Sequence, residues 1–178
     1  MNEELKRTKS LDPDIRPDSV VLILGTLPGQ ASAEQKQYYS DPTNKFWGIL
    51  AGACEEPLPK TVAEKAALLQ KYKIALWDVV ESAVRKTSND KDLKNEEKNK
   101  LPELLATYPN IKLLLFHSNG AYKYFRRFFK NSTIPYIRVS SPSGQNRKNM
   151  NEKVLEWKAA LSSVLPQLQM AHRLEEKS

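Results

Sequence analysis

The sequence predicts an α/β protein, a three-layer α/β/α sandwich around a central, mainly parallel sheet of about four strands. Two observations indicate this fold. Four short apolar runs are typical of strands buried on both faces, and the segments between them have the spacing of apolar residues that helices show. Strands alternating with helices favour parallel pairing through right-handed crossovers. With 178 residues, the chain has the size of one compact domain.

The predicted elements follow one another along the chain without an internal repeat. The predicted strands are residues 19–25, 73–77, 111–116 and 135–139. The predicted helices are residues 46–53, 62–69, 101–107, 121–129 and 151–165. The charged stretch 89–100 is predicted to be a surface loop or the start of a helix. We therefore expect one domain over residues 19–165, an N-terminal extension over 1–18 and a polar C-terminal tail over 166–178.

Charge and hydropathy limit the partners and the location. The net charge of +7 favours a polyanionic partner, because Lys and Arg bind phosphates and release counterions. No apolar run approaches the roughly 20 residues that span a bilayer, so no membrane partner is expected. The polar N-terminus has no apolar signal core. These features predict a cytoplasmic protein, which in a prokaryote would be associated with the nucleoid.

Metal-ligating residues are scarce. The single cysteine, Cys54, excludes an intramolecular disulfide and cysteine-ligated zinc or iron–sulfur sites. The two histidines, His117 and His172, are too few for a histidine-rich site. We therefore expect chemistry that needs neither a metal nor a cofactor.

Ligands of an open parallel sheet bind outside the carboxyl ends of its strands. The segments that follow predicted strands are residues 26–44, 78–85, 117–120 and 140–146. Two of these segments contain distinctive motifs. GTLPG (25–29) is followed by YYSDPTNKFW (38–47), and SSPSGQNR (140–147) follows the fourth strand.

These motifs resemble the first and second motif regions of the uracil-DNA glycosylase superfamily, particularly its mismatch-specific and hypoxanthine-DNA glycosylases. The resemblance extends from about residue 20 to residue 161, through LWDV (76–79) and the strand IKLLLF (111–116). Both motifs stand in the order and after the strands that the superfamily shows. The resemblance implies a metal-independent DNA glycosylase that binds DNA containing a damaged or mismatched base, acts as a monomer and serves base excision repair.

Asn44 matches the asparagine that the hypoxanthine branch uses to assist the hydrolytic water. Its amide carbonyl can accept a hydrogen bond from water. The alternative role is capping of the following helix, for which Asn is favoured, and the two roles can coexist. The resemblance therefore implies that Asn44 is the catalytic residue.

The implied base-binding residues are Thr26, Leu27, Tyr39, Phe46 and His117. Tyr39 takes the position whose ring stacks on the flipped-out base, with a role in the core as its alternative. Leu27 stands where several other branches have a polar residue, which agrees with the hypoxanthine branch. His117 stands where that branch has the asparagine of Phe-Asn-Gly, so base preference stays open, and a structural histidine is its alternative.

The implied DNA-binding residues come from both motifs. They are Pro28, Gly29, Ser141, Pro142, Ser143, Gly144, Gln145 and Arg147. Gln145 aligns with the residue that wedges into the duplex, where relatives commonly have an apolar side chain. Arg147 is a natural phosphate contact.

The implied reaction is hydrolysis of the N-glycosidic bond of a deaminated or mismatched base, such as hypoxanthine or uracil, without strand cleavage. One alternative is a catalytically weak or inactive DNA-binding relative of the same fold, which Leu27, His117 and Gln145 favour. Another alternative is a small-molecule enzyme of the same sandwich class. The sequence contains no GxxxxGK[ST] phosphate loop to support it.

Overall fold

The computed structural model describes residues 5–87, 89–143 and 148–169 of the chain. Its strands are β1 (Arg7–Lys9), β2 (Val21–Gly25), β3 (Ile74–Asp78), β4 (Val80–Val84), β5 (Lys94–Lys98), β6 (Leu113–Phe116) and β7 (Tyr136–Arg138). Its helices are α1 (Gln30–Gln35), α2 (Phe46–Ala53), α3 (Val62–Lys71), α4 (Leu101–Thr107), α5 (Asn119–Phe128) and α6 (Met150–Ser162).

A four-stranded parallel sheet in the order β3-β2-β6-β7 forms the centre of the molecule. Alternate residues of β2 point to opposite faces, as the pleat of a strand requires. Val21 and Ile23 pack against α2, α3 and α6, whereas Leu22 and Leu24 pack on the face that α4 and α5 cover. The predicted three-layer α/β/α sandwich with four parallel strands is therefore confirmed.

Local signals begin several of the helices. Thr61 accepts a hydrogen bond from the backbone of Glu64, whose side chain accepts one back, so a capping box begins α3. Asn149 and Glu152 form the same motif at α6. Ser118 caps α5 by accepting from the backbone of Ala121. The five predicted helices are present with ends shifted by at most three residues, and α1 is a helix that the sequence analysis did not predict.

A second sheet, antiparallel and in the order β1-β4-β5, lies beside the first and was not predicted. A short 3-10 helix occupies Asp90–Asp92, but the prediction of a loop or helix start over residues 89–100 was wrong for Lys94–Lys98, which is strand β5. Its sequence KNEEK has low strand propensity, and pairing with β4 overrides that preference. Charged side chains are typical of an edge strand, since they discourage pairing with other chains.

Both flanking segments contact the domain. In the predicted N-terminal extension, Arg7–Lys9 pairs with β4, and Asp14 exchanges two backbone hydrogen bonds of 2.9 Å with Leu76 of β3. In the predicted C-terminal tail, Leu168 is buried in the core beneath α6. Within the described residues, no helix is long and apolar enough to cross a bilayer.

Candidate active site

A cavity of about 580 Å³ opens at the carboxyl ends of β2, β3 and β6, where an open parallel sheet binds its ligands. Its volume lies within the roughly 300–1,000 Å³ typical of small-molecule sites. Ten of the predicted site residues line it: Thr26, Leu27, Pro28, Gly29, Tyr39, Asn44, His117, Ser141, Pro142 and Ser143. The fold thus brings both motifs to one place.

A larger groove of about 1120 Å³ lies between the N-terminal segment and helices α1 and α3. None of the predicted site residues lines it. We therefore treat the smaller cavity at the strand ends as the candidate site.

Four of the predicted site residues are not among those that line the cavity. Phe46 lies behind the cavity wall, where its ring stacks on Tyr39 with centroids 3.7 Å apart and planes 9° apart. Phe46 was predicted to contact the base. In the structure its ring instead supports that of Tyr39 from the side away from the cavity. Gly144, Gln145 and Arg147 lie outside the described residues.

Tyr39 joins the two sides of the cavity. Its hydroxyl is 2.6 Å from Nε2 of His117. Its φ of 53° lies in the left-handed region, which costs a bulky residue about 1–3 kcal/mol and is often found at functional sites. Because Phe46 covers one face of the ring, a flipped-out base could stack only on the opposite face.

His117 follows β6 and is buried. Its ring lies parallel to that of Trp157, with centroids 6.0 Å apart. Burial lowers the pKa of His117 to about 4, so the ring is neutral at physiological pH. A neutral imidazole has one donor and one acceptor nitrogen, and Nε2 already pairs with Tyr39. His117 therefore offers a base fewer hydrogen-bonding atoms than the asparagine amide of the hypoxanthine branch would.

Asn44 lies at the start of α2. Its Oδ1 accepts a hydrogen bond of 2.9 Å from the backbone N–H of Phe46, the first residue of that helix. The N-cap of α2 is Lys45, so Asn44 satisfies the first N–H of the helix from the preceding position and not as the N-cap itself. A carbonyl oxygen has a second lone pair, and Asn44 lines the cavity, so a water molecule can still be held there. The catalytic role of Asn44 stays a prediction.

The second motif is tied to the first through backbone contacts. The N–H of Lys45, just before α2, donates to the carbonyl of Pro142 at 3.1 Å. Ser140 is fixed by Glu156 of α6, which accepts from its N–H at 3.0 Å and from its hydroxyl at 2.6 Å. The approach of the two motifs is thus set by α2 and α6, which pack against each other.

Two carboxylates in the cavity were missed by the sequence analysis. Asp78 ends β3 and is 5% exposed, and Asp90 lies in the connection between β4 and β5. Thr26 donates to Asp90 Oδ2 at 2.6 Å, and a side chain at Gly120 would collide with the same carboxylate. Burial raises the pKa of both groups, to about 7 for Asp78. An acidic residue directly after a buried strand was the signal that could have identified Asp78.

Arg85 is the main buried cation beside these carboxylates. Its guanidinium donates to the carbonyl of Pro28 in the GTLPG turn. Its positive charge lowers the pKa of Asp78 and of Asp90, and so partly offsets their burial. Among the described residues, no group of three His, Cys, Asp or Glu side chains is arranged to hold a metal ion.

Comparison with known proteins defines the family. The family model of the uracil DNA glycosylase superfamily matches residues 13–164. The chain therefore belongs to the uracil DNA glycosylase superfamily, and the predicted resemblance is confirmed.

Similar proteins are found in two species of Methanosarcina. A hypoxanthine DNA glycosylase of Methanosarcina barkeri is 34% identical over 157 residues, which cover 86% of this chain and 98% of that protein. A hypoxanthine DNA glycosylase of Methanosarcina acetivorans is 32% identical over 140 residues, which cover 78% of this chain and 88% of that protein. The solution NMR structure of a candidate uracil DNA glycosylase from M. acetivorans superposes with a TM-score of 0.76 at 27% identity, covering 88% of this chain and 97% of the other.

Proposed function

We propose that this chain is a monofunctional DNA glycosylase that hydrolyses the N-glycosidic bond of a deaminated or mismatched base in DNA, for base excision repair. Hypoxanthine and uracil are the first candidates. The observation that carries the proposal is the meeting of GTLPG, Tyr39, Asn44 and the second motif in one cavity of a chain that belongs to this superfamily. We expect it to act as a monomer in the cytoplasm, without metal or cofactor.

The base must leave the duplex before the bond can be reached, at a cost of a few kcal/mol that is least for mispaired bases. In the proposed complex the base stacks on the face of Tyr39 opposite Phe46, which supports the ring from behind. Stacking on an aromatic side chain contributes about 1–3 kcal/mol per base. The net charge of +7 attracts the phosphates of the strand.

The reaction breaks the bond between C1′ and the base nitrogen, and the bonding pair leaves with the base. The sugar gains the positive character of an oxocarbenium ion, and water adds to C1′. The proton that water loses neutralises the departing base anion, so the products are the free base and an abasic sugar with a C1′ hydroxyl. Asn44 would hold that water through the free lone pair of its Oδ1. Preorganised polar groups of this kind commonly contribute about 10²–10³-fold to a rate.

A single-turnover assay tests the proposal. Duplex oligonucleotides carrying one hypoxanthine, uracil, xanthine or G·T mismatch are incubated with excess protein, and abasic sites are then cleaved with alkali. We expect strand breaks at one or more lesions only after alkali, and none in the undamaged duplex. Breaks without alkali would contradict a monofunctional mechanism. Tight binding to every duplex with no abasic site would identify an inactive DNA-binding relative, which the apolar Leu27 favours.

A further inference from the structure

Polar side chains pack closely around Gly25 at the end of β2. Gly25 has no side chain, and a Cβ placed there would lie 2.8 Å from Asp78 Oδ1, 3.5 Å from the Tyr39 hydroxyl and 3.9 Å from His117 Nε2. Polar atoms of three segments therefore approach one point of the backbone, and the Asp78 carboxyl packs so closely there that only glycine fits. All four residues line the candidate cavity. Convergent polar groups in a cavity are what fixes the orientation of a small ligand.

Hydrogen bonds hold Asp78 so that its Oδ1 lies against Gly25. Ser10 donates its hydroxyl to Oδ2 at 3.3 Å, and Asn99 donates to the backbone carbonyl of Asp78 at 2.8 Å. Asn99 also donates to the Ser10 hydroxyl at 3.1 Å, which fixes the position of Ser10. With Oδ2 turned toward Ser10, Oδ1 is the oxygen that lies against Gly25. The carboxyl group is thus oriented before any ligand arrives.

The surroundings of Asp78 favour its neutral form. Buried carboxyls lose the solvation of their charge, and Asp90 adds a like charge nearby. Arg85 and Ser10 act in the opposite direction but more weakly than burial. Tyr39 and His117, which like Asp78 lie close to Gly25, are both neutral at pH 7 and supply no counter-charge. Near neutral pH a substantial share of Asp78 therefore carries an O–H group.

We propose that Asp78 is a catalytic residue whose Oδ1–H donates a hydrogen bond to a carbonyl oxygen of the flipped-out base. This inference rests on the proposed glycosylase function and assigns the group that recognises the base. Deamination replaces an exocyclic amino group by a carbonyl. A hydrogen-bond donor at this position is therefore accepted by the carbonyl oxygen of a deaminated base, whereas the amino group of the undamaged base is itself a donor and is repelled. A site whose buried polar group is left unpaired rejects the wrong ligand strongly.

The same bond aids the chemistry. The base leaves with negative charge, part of which accumulates on its carbonyl oxygen. A neutral acid can donate to that oxygen, whereas an ionised carboxylate would repel it. The proton of Asp78 need not leave its oxygen, because the hydrogen bond only strengthens as the glycosidic bond breaks. A carboxylic acid kept neutral by its surroundings so that it can donate is a known catalytic pattern.

The pH profile of the single-turnover rate tests this role. On the best lesion of the panel, the wild-type rate should fall about tenfold per pH unit once Asp78 ionises, with a midpoint near pH 7. Asp78→Asn keeps a donor that cannot ionise, so its rate should stay level from pH 6 to 8.5. Asp78→Ala should be at least about 10²-fold slower than Asp78→Asn at every pH. Melting temperatures at each pH confirm that both variants are folded.

Two further variants should move the midpoint in opposite directions. Ser10→Ala removes a hydrogen bond that stabilises the carboxylate, so the midpoint should rise. Asp90→Asn removes a repelling charge, so the midpoint should fall, while the amide oxygen can still accept from Thr26. If Asp90→Asn abolishes the alkaline loss, that residue is the titrating group and the proposal is wrong.

Failures of the two proposals can be told apart. An active wild-type enzyme with no alkaline loss, or an Asp78→Asn variant as slow as Asp78→Ala, overturns the role of Asp78 and leaves the glycosylase function standing. A wild-type protein that excises none of the lesions at any pH overturns the proposed function and the inference with it.

Discussion

Replacing Asp78 by Asn should change how stability depends on pH, whatever the protein acts on. Burial raises the pKa of Asp78 from 3.8 to about 7. The folded chain therefore binds this proton more tightly than the unfolded chain does, so the contribution of Asp78 to stability is greatest below pH 4 and declines up to pH 7. About three pH units separate the two pKa values, and each corresponds to ~1.4 kcal/mol. The decline should therefore approach ~4 kcal/mol, a large part of the roughly 5–15 kcal/mol that stabilises a domain.

His117 opposes this decline in the wild-type protein. Burial lowers its pKa from 6.5 to about 4, so the unfolded chain binds this proton more tightly, and stability is lost as pH falls from 6.5 to 4. The two effects act in the same pH range with opposite signs and similar size. Together they should leave the stability of the wild type nearly level there, whereas Asp78→Asn should become more stable as pH rises.

Urea unfolding followed by tryptophan fluorescence measures both proteins from pH 4 to 8. His117 is common to both, so the difference between Asp78→Asn and wild type isolates Asp78. That difference should shift in favour of the variant by up to ~4 kcal/mol between pH 4 and pH 7. A difference that stays constant within ~1 kcal/mol would show that Asp78 ionises normally, and a shift in favour of the wild type would show that the fold stabilises the carboxylate.

Two further predictions concern the proposed reaction. Asn44→Ala should lose about 10²–10³-fold in single-turnover rate and ~1 kcal/mol in stability, since it removes both the water contact and the hydrogen bond to Phe46. Asn44→Asp keeps an acceptor for the N–H of Phe46 and should keep the stability. An Asn44→Ala protein that is destabilised but turns over normally would show that Asn44 only stabilises the start of α2 and has no catalytic role. DNA binding should weaken steeply with salt. Lys123 and Arg126 are exposed basic residues of α5, and the double variant Lys123→Gln/Arg126→Gln should reduce the slope of log affinity against log salt by up to about 1.8 if both contact phosphates. A filter-binding titration detects that change. An unchanged slope would place the DNA on another face.

The central sheet was predictable because its strands are buried on both faces and so appear as apolar runs. Each of the four predicted runs overlaps one of these strands, with ends that differ by at most two residues. The second sheet was not predictable in the same way, since β4 (VESAV) is short and mixed and β5 (KNEEK) has no apolar residue. These strands exist through pairing with each other and with β1, and such long-range pairing leaves little trace in local sequence.

The motifs predicted the place of the site better than its chemistry. Ten predicted residues line one cavity, yet the contacts among them could not be foreseen from spacing. The stacking of Tyr39 on Phe46 depends on the left-handed backbone at Tyr39. The neutrality of His117 depends on its burial beside Trp157. The first is a backbone conformation at one residue that the motif does not reveal, and the second is a property of packing between the end of β6 and α6, which are distant in the sequence.

The β4–β5 hairpin, which the sequence did not predict, also supplies polar groups of the cavity that the sequence did not predict. Leu27, which stands where several other branches have a polar residue, packs against Val80, Ala83 and Leu93 of the β4–β5 hairpin and is 7% exposed. Polar groups reach the cavity from that same hairpin instead. Its first strand begins two residues after Asp78, and its connection supplies Asp90, which binds Thr26 of the first motif. An apolar first motif is therefore consistent with an active enzyme, because the hairpin that buries Leu27 also brings the carboxyl group of Asp90 to the cavity.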